Sequence, residues 1–133
     1  TMNSILKQFI KHLTVGDNEV ALLDMEAGVE HFGRGVDNSV DLILMIVDPS
    51  FESLKLTKKI QQLGESIGKP VFFVLNKVNE LVLPTMLESI DDQSKVLAVI
   101  STDTEIARKG LLGDELMMEI PEIHTLARKI LKQ

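Results

Sequence analysis

The chain has 133 residues, of which 44% are hydrophobic and 26% are charged. No apolar run approaches the ~20 residues that cross a bilayer. We therefore expect one soluble domain over residues 1–133 and no membrane partner. The formal net charge of −6 argues against a nucleic-acid partner, because such surfaces need clustered Lys and Arg. The absence of cysteine excludes disulfides and thiolate metal sites and is typical of a cytoplasmic protein.

The N-terminal part of the chain predicts a helix, a strand and a loop. Apolar residues recur at helical spacing over residues 4–14, and Gly16-Asp17-Asn18 ends the pattern. Val20–Leu23 is an unbroken apolar run, which predicts a strand buried on both faces. A loop rich in glycine and charge follows to about Asn38.

The rest of the chain predicts strands that alternate with helices. Proline and glycine mark the ends of these elements, and each strand is a run of apolar residues. In chain order we predict a strand over 41–47, a helix from Ser50 to Ile67, a strand over 71–75, a short helix from Pro84, a strand over 96–100, a broken segment through Gly110 and Gly113, and a helix from Pro121.

This alternation predicts an α/β fold, with a mostly parallel sheet of about four strands and helices on both faces. Ligands of such sheets bind beyond the carboxyl ends of the strands. Those ends carry Asp24, Asp48, Asn76 and the loop Ser101-Thr102-Asp103. We therefore expect a polar site at that edge.

The residue types at this edge fit nucleotide chemistry. Asp24 followed by Gly28 suits magnesium held through water and a backbone N–H offered to a terminal phosphate. Asn76-Lys77 suits a purine base, because an amide both donates and accepts hydrogen bonds. Guanine is disfavoured, since position 79 is Asn where a GTPase has Asp. The chain has no phosphate-binding loop, because its one Gly-Lys pair precedes Pro70.

Two other chemistries need groups that the sequence does not supply. Glu26, Glu30 and His31 could ligate a metal, but a single histidine without an identifiable supporting partner favours a hydrated loop. A receiver-like acidic pocket of Asp24 and Asp48 would need a lysine at the end of the last strand, where Ser101-Thr102 stands.

One segment carries a family resemblance. Residues 24–35, Asp-Met-Glu-Ala-Gly-Val-Glu-His-Phe-Gly-Arg-Gly, closely resemble the switch region of the CooC-type branch of the MinD/ParA ATPases, which insert nickel into carbon monoxide dehydrogenase. The resemblance continues through 40–41, 47–54 and 76–78. It implies a P-loop NTPase fold that lacks its N-terminal P-loop strand, so the chain resembles the C-terminal portion of such a domain.

The resemblance also implies roles for individual residues. Asp24 would be the catalytic switch aspartate, associated with magnesium through water, and Gly28 would contact the γ-phosphate. Asn76, with Lys77, would contact adenine. Thr102 and Asp103 would belong to a second adenine-side loop.

The resemblance further implies partners. The complete family protein would bind Mg-ATP, dimerise across the nucleotide and serve a nickel metalloenzyme client, whereas this chain alone would bind no cofactor tightly and hydrolyse no ATP. The family's P-loop strand lies between the strands that end at Asp24 and Asp48. Those strands would therefore pair directly, or another copy would supply a neighbour in a dimer or strand swap. The alternative is a nucleotide-independent interaction or regulatory module that binds a partner through the Gly28–Gly35 loop.

Overall fold

The computed structural model describes residues 2–25 and 39–133. Helices and strands alternate along the second range, as the sequence predicts. The elements are α1 (Met2–His12), β1 (Ile43–Val47), α2 (Phe51–Ile67), β2 (Val71–Val78), α3 (Leu83–Glu88), β3 (Val96–Ser101), α4 (Thr104–Leu112) and α5 (Pro121–Leu131), with a 3-10 turn over Gln93–Lys95 before β3.

The sheet is parallel and has the order β1-β2-β3, so β2 is central. Ile43 of β1 lies opposite Val71, and Phe73 of β2 lies opposite Val96 of β3. All three strands therefore end at the same edge. The predicted α/β class with a parallel sheet is confirmed.

Side chains of β2 alternate between two apolar cores. Val71, Phe73 and Leu75 pack with α2 and α3, and Met86 of α3 is fully buried there. Phe72 and Val74 face the other way and pack with residues of β3 and α5, among them Leu126. Burial on both faces explains the unbroken apolar run of this strand. The helices thus cover both faces of the sheet, as predicted.

The ends of α2 follow from its flanking residues. The Ser50 hydroxyl accepts a hydrogen bond from the Ser53 N–H, which satisfies a donor of the first turn. Gly68 ends the helix in the left-handed region at φ 66°, where a residue without Cβ carries no steric penalty. These bounds agree with the predicted helix.

Two predictions for secondary structure are wrong. Residues 20–23 form no strand and pair with no other described residue: Val20 is 58% exposed and Leu22 is 84% exposed. A strand needs a neighbour for its N–H and C=O groups, and β1 pairs only with β2 within the described residues. The described sheet therefore has three strands where about four were expected, and residues 20–23 do not pair with β1.

The segment predicted to be broken contains α4. Asp103 caps its N-terminus and Gly113 ends it at φ 71°. Gly110 lies inside this helix, where glycine is unfavourable but tolerated.

Over residues 2–25 and 39–133, no helix combines the length and the apolar character that crossing a membrane requires.

Candidate functional site

Asp48 is the residue that joins the ends of two strands. It follows β1, and its Oδ1 accepts a hydrogen bond from Nδ2 of Asn76 at 3.0 Å. Its Oδ2 lies 2.7 Å from Nζ of Lys77. Both partners belong to β2, so one carboxylate links the carboxyl ends of β1 and β2. The sequence predicted Asp48 at this edge but did not predict its pairing with these two residues.

The backbone of Asp48 is held as well. Its N–H donates to the Ser53 hydroxyl oxygen at 3.0 Å, and its carbonyl accepts from the Ser50 N–H at 2.8 Å. Ser50 and Ser53 belong to the cap and the first turn of α2. The start of α2 therefore fixes the position of Asp48.

Asn76 and Lys77 lie at an irregularity of β2. The pairing with β3 shifts between Leu75 and Val78, so the two residues stand where the regular ladder is interrupted. Lys77 has φ 55°, a left-handed conformation that non-glycine residues adopt with strain. Strained residues of this kind concentrate at functional sites. In a regular strand, consecutive side chains point to opposite faces of the sheet. The irregularity instead places the side chains of Asn76 and Lys77 beside the same carboxylate, that of Asp48.

The end of β3 supplies the neighbouring loop. The Thr102 N–H donates to the Val78 carbonyl at 3.0 Å, which ties the loop to β2. Asp103 is half-buried, and its Oδ1 accepts from the N–H groups of Glu105 and Ile106. Asp103 is therefore the N-cap of α4. Thr102 and Asp103 thus follow the strand next to Asn76, as the sequence predicted for this edge.

Asn79 has a local structural role. Its Oδ1 accepts from the N–H groups of Leu81 and Val82, which shapes the turn into α3.

Beside that turn lies an open groove of about 200 Å³, whose lining includes Pro49, Phe51, Leu81 and Val82. Phe51 and Leu81 are 76% and 87% exposed. Most of the residues that line the groove are apolar, and it adjoins the end of β1.

The predicted phosphate-side residues are not assembled with this cluster. Asp24 is exposed in a segment without regular structure. Gly28 lies outside the described residues, as do Glu26, Glu30 and His31 of the metal alternative. Within the described ranges, no group of three Asp, Glu or His side chains is arranged to hold a metal ion. Among the described residues, Asp24 is therefore the one member of the predicted phosphate side that the structure shows, and it belongs to no such group.

The two charged groups at the site are partly solvated. The side chains of Lys77 and Asp48 are 62% and 39% exposed, so their ion pair is screened and adds little stability.

Another acid, Asp92, lies at the opposite edge of the sheet, before β3. There the Ser94 hydroxyl and the Ser94 backbone N–H donate to Asp92 and hold the pKa of its carboxyl below the ordinary value.

The chain is similar in sequence to ATP-binding proteins. An uncharacterized ATP-binding protein of Methanocaldococcus jannaschii is 44% identical over 131 residues, which cover 98% of this chain and 52% of that protein. A second uncharacterized ATP-binding protein of the same organism is 31% identical over 118 residues, 86% of this chain and 46% of that protein.

A third relative has a named role. The carbon monoxide dehydrogenase accessory protein CooC of Rhodospirillum rubrum is 31% identical over 112 residues, 84% of this chain and 43% of that protein. The chain thus spans about half the length of the curated relatives it matches. No protein-family model matches it.

Proposed function

We propose that the chain is the C-terminal part of a MinD/ParA-type ATPase domain, related to the accessory ATPases that insert nickel into carbon monoxide dehydrogenase and acting in the cytoplasm. The observation that carries this proposal is similarity over 98% of the chain to a protein named as ATP-binding. The polar cluster at the carboxyl edge of the parallel sheet supports it, since ligands of such sheets bind there.

The chain supplies the adenine side of the nucleotide site. Asn76 contacts the base, and its amide is half-buried at the end of the central strand. Lys77 follows it on β2, and Thr102 lies in the loop after β3. Asp103 holds that loop by capping α4. These residues bind and orient a base and transfer no protons.

The phosphate side depends on residues that this chain holds only in part. Asp24 would hold magnesium through water, and Gly28 would offer its N–H to the γ-phosphate. Magnesium neutralises the charge of the phosphates when it is bound. The 133 residues include no Gly-Lys-Ser/Thr loop for the remaining phosphates. The chain alone therefore binds Mg-ATP weakly and does not hydrolyse it.

A second polypeptide segment completes the sheet. Within the described residues, β1 pairs on one side only, and Ile46 on that strand is 51% exposed. An open edge favours pairing with another strand. Another copy of the chain supplies that strand in a dimer or strand swap, and a nickel metalloenzyme is the client of the assembly. Sedimentation that finds only a monomer at micromolar concentration would contradict the oligomer.

Titration of the ¹⁵N-labelled chain with Mg-ATP tests the nucleotide site. We expect saturable shifts at Asn76, Lys77 and Thr102 with a dissociation constant of about 1 mM, because the base is contacted and most phosphate contacts are missing. Asn76→Ala should weaken binding at least about fivefold. Asn18→Ala is the matched control, since Asn18 is exposed and lies near Pro70, at the opposite edge of the sheet. Absence of saturable shifts up to about 10 mM would refute the nucleotide site.

A nucleotide-independent interaction module is the second candidate. The observation that favours it is a group of exposed apolar side chains at the end of α4 and in the segment after it. They are Leu111, Leu112, Leu116, Met117 and Met118. Exposed apolar clusters often mark protein contacts. The same titration separates the two functions, because the interaction module predicts no response to Mg-ATP.

A further inference from the structure

Building on the proposed function, we infer that Asp48 is the positioning residue that makes Asn76 selective for adenine over guanine. Asp48 does not touch the base. It orients the Asn76 amide, which contacts the base. Because Asp48 occupies one amide N–H, the other N–H and the carbonyl oxygen determine which purine fits.

Asp48 is built to hold another side chain. All four of its polar groups have partners: the backbone N–H and carbonyl bond to Ser53 and Ser50, and the two carboxylate oxygens bond to Asn76 and Lys77. The backbone bonds fix the carboxylate relative to α2. The Lys77 ammonium occupies Oδ2, which leaves Oδ1 to the amide.

This arrangement sets the orientation of the Asn76 amide. A carboxylate accepts hydrogen bonds only, so it takes the Nδ2 end, whereas the opposite orientation would place the amide carbonyl against a negative oxygen. The amide has two N–H donors and one carbonyl, and Asp48 takes one donor. No other described residue forms a hydrogen bond with the rest of the amide. One N–H and the carbonyl oxygen are therefore left for a ligand.

A single donor beside a single acceptor matches adenine. The N6/N7 edge of adenine presents one N–H donor and one nitrogen acceptor, which an asparagine amide binds through two hydrogen bonds. The corresponding edge of guanine presents two acceptors, O6 and N7. With one N–H already used by Asp48, Asn76 has one donor for these two acceptors, and its carbonyl faces O6.

AMP and GMP are the probes. Their phosphates are identical, so a difference between their affinities is caused by the base. We expect the ¹⁵N-labelled chain to bind AMP about tenfold or more tightly than GMP, with the shifts centred on Asn76. In Asp48→Asn the new amide can donate to the Asn76 carbonyl and release its N–H groups. The preference should then fall below about threefold, mainly through weaker AMP binding.

Asp92→Asn is the matched control. It makes the same change of charge at the opposite edge of the sheet, where Asp92 caps a 3-10 turn, a position that asparagine also fills well. It should keep the preference of the unmodified chain. Unchanged AMP preference in Asp48→Asn would overturn the role of Asp48 and leave the nucleotide site standing. Absence of AMP binding by the unmodified chain would overturn the base selectivity, and the nucleotide site falls with it only if Mg-ATP also fails to bind.

A measurement on the unmodified chain guards against misfolding of the variant. One of the two Asn76 side-chain protons should exchange with solvent more slowly than the other, because only one is bonded to Asp48. Equal and rapid exchange of both protons would overturn the role of Asp48 without any substitution.

Discussion

Nδ2 of Asn76 lies 3.0 Å from Oδ1 of Asp48, so the central strand and its neighbour are joined at the edge where they end. The adjacent Lys77 reaches the second oxygen of the same carboxylate at 2.7 Å. Two consecutive residues of β2 reach one carboxylate because the ladder shifts between Leu75 and Val78. The irregularity in the strand therefore creates the cluster.

Replacement of Lys77 separates backbone strain from charge. Lys77→Ala and Lys77→Gly both remove the ion pair with Asp48, whose contribution is small because both side chains are partly exposed. Only glycine relieves the strain at φ 55°. We expect Lys77→Gly to have a free energy of unfolding about 1 kcal/mol higher than Lys77→Ala in urea denaturation. Equal stabilities would show that this conformation carries no strain.

Asp103 combines a structural and a proposed functional role, and two substitutions distinguish them. Asp103→Ala removes the acceptor for the N–H groups of Glu105 and Ile106 and should lower the free energy of unfolding by about 1 kcal/mol. Asp103→Ser keeps a capping oxygen and should cost less than about 0.5 kcal/mol. Urea denaturation measures both. If Asp103→Ser also weakens binding of Mg-ATP, the carboxylate contributes more than the cap.

The sequence predicted the elements that depend on local pattern. The apolar run and Ser50 indicated the core of β2 and the start of α2, because burial on two faces and capping are local effects. The extension of β2 to Val78 was not predicted, since Asn76 and Lys77 interrupt the apolar run and the strand continues only through pairing with β3.

What the sequence could not predict depends on neighbours distant in the chain. The apolar run at 20–23 has the composition of a strand, yet a strand forms only where another lies beside it. The bonds of Asp48 to Asn76 and Lys77 join residues 28 and 29 positions apart. They require β1 beside β2 and the shift in the ladder, and neither can be read from the residues of one strand.

Thr57 connects α2 to the end of α3 in the core. Its side chain is fully buried, and its hydroxyl oxygen lies 2.7 Å from the Leu54 carbonyl and 2.9 Å from the Ser89 carbonyl. Thr57→Val keeps the shape but leaves the Ser89 carbonyl without this donor. We expect the free energy of unfolding to fall by about 1–3 kcal/mol in urea denaturation.

Ser66 provides the control for Thr57. Its hydroxyl makes the same kind of bond within α2, to the Leu63 carbonyl at 2.7 Å, but it is exposed. Ser66→Ala should change stability by no more than about 0.5 kcal/mol, because water replaces the lost bond. Similar effects of the two substitutions would mean that burial of Thr57 does not determine its contribution.

Gly64 and Gly110 give opposite predictions for the same substitution. A Cβ at Gly64 would lie 2.3 Å from Cγ2 of Val71 and 2.9 Å from the Lys69 carbonyl oxygen, so α2 would have to move away from β2. Gly64→Ala should therefore lower the free energy of unfolding by about 1–3 kcal/mol, the usual cost of overpacking a core. At Gly110, inside α4, an added Cβ meets no atom within 4 Å. Gly110→Ala should raise stability by up to about 1 kcal/mol, because alanine is the better helix former. Thermal and urea denaturation of both variants measure the difference, and effects of the same sign would contradict the close packing of α2 on β2.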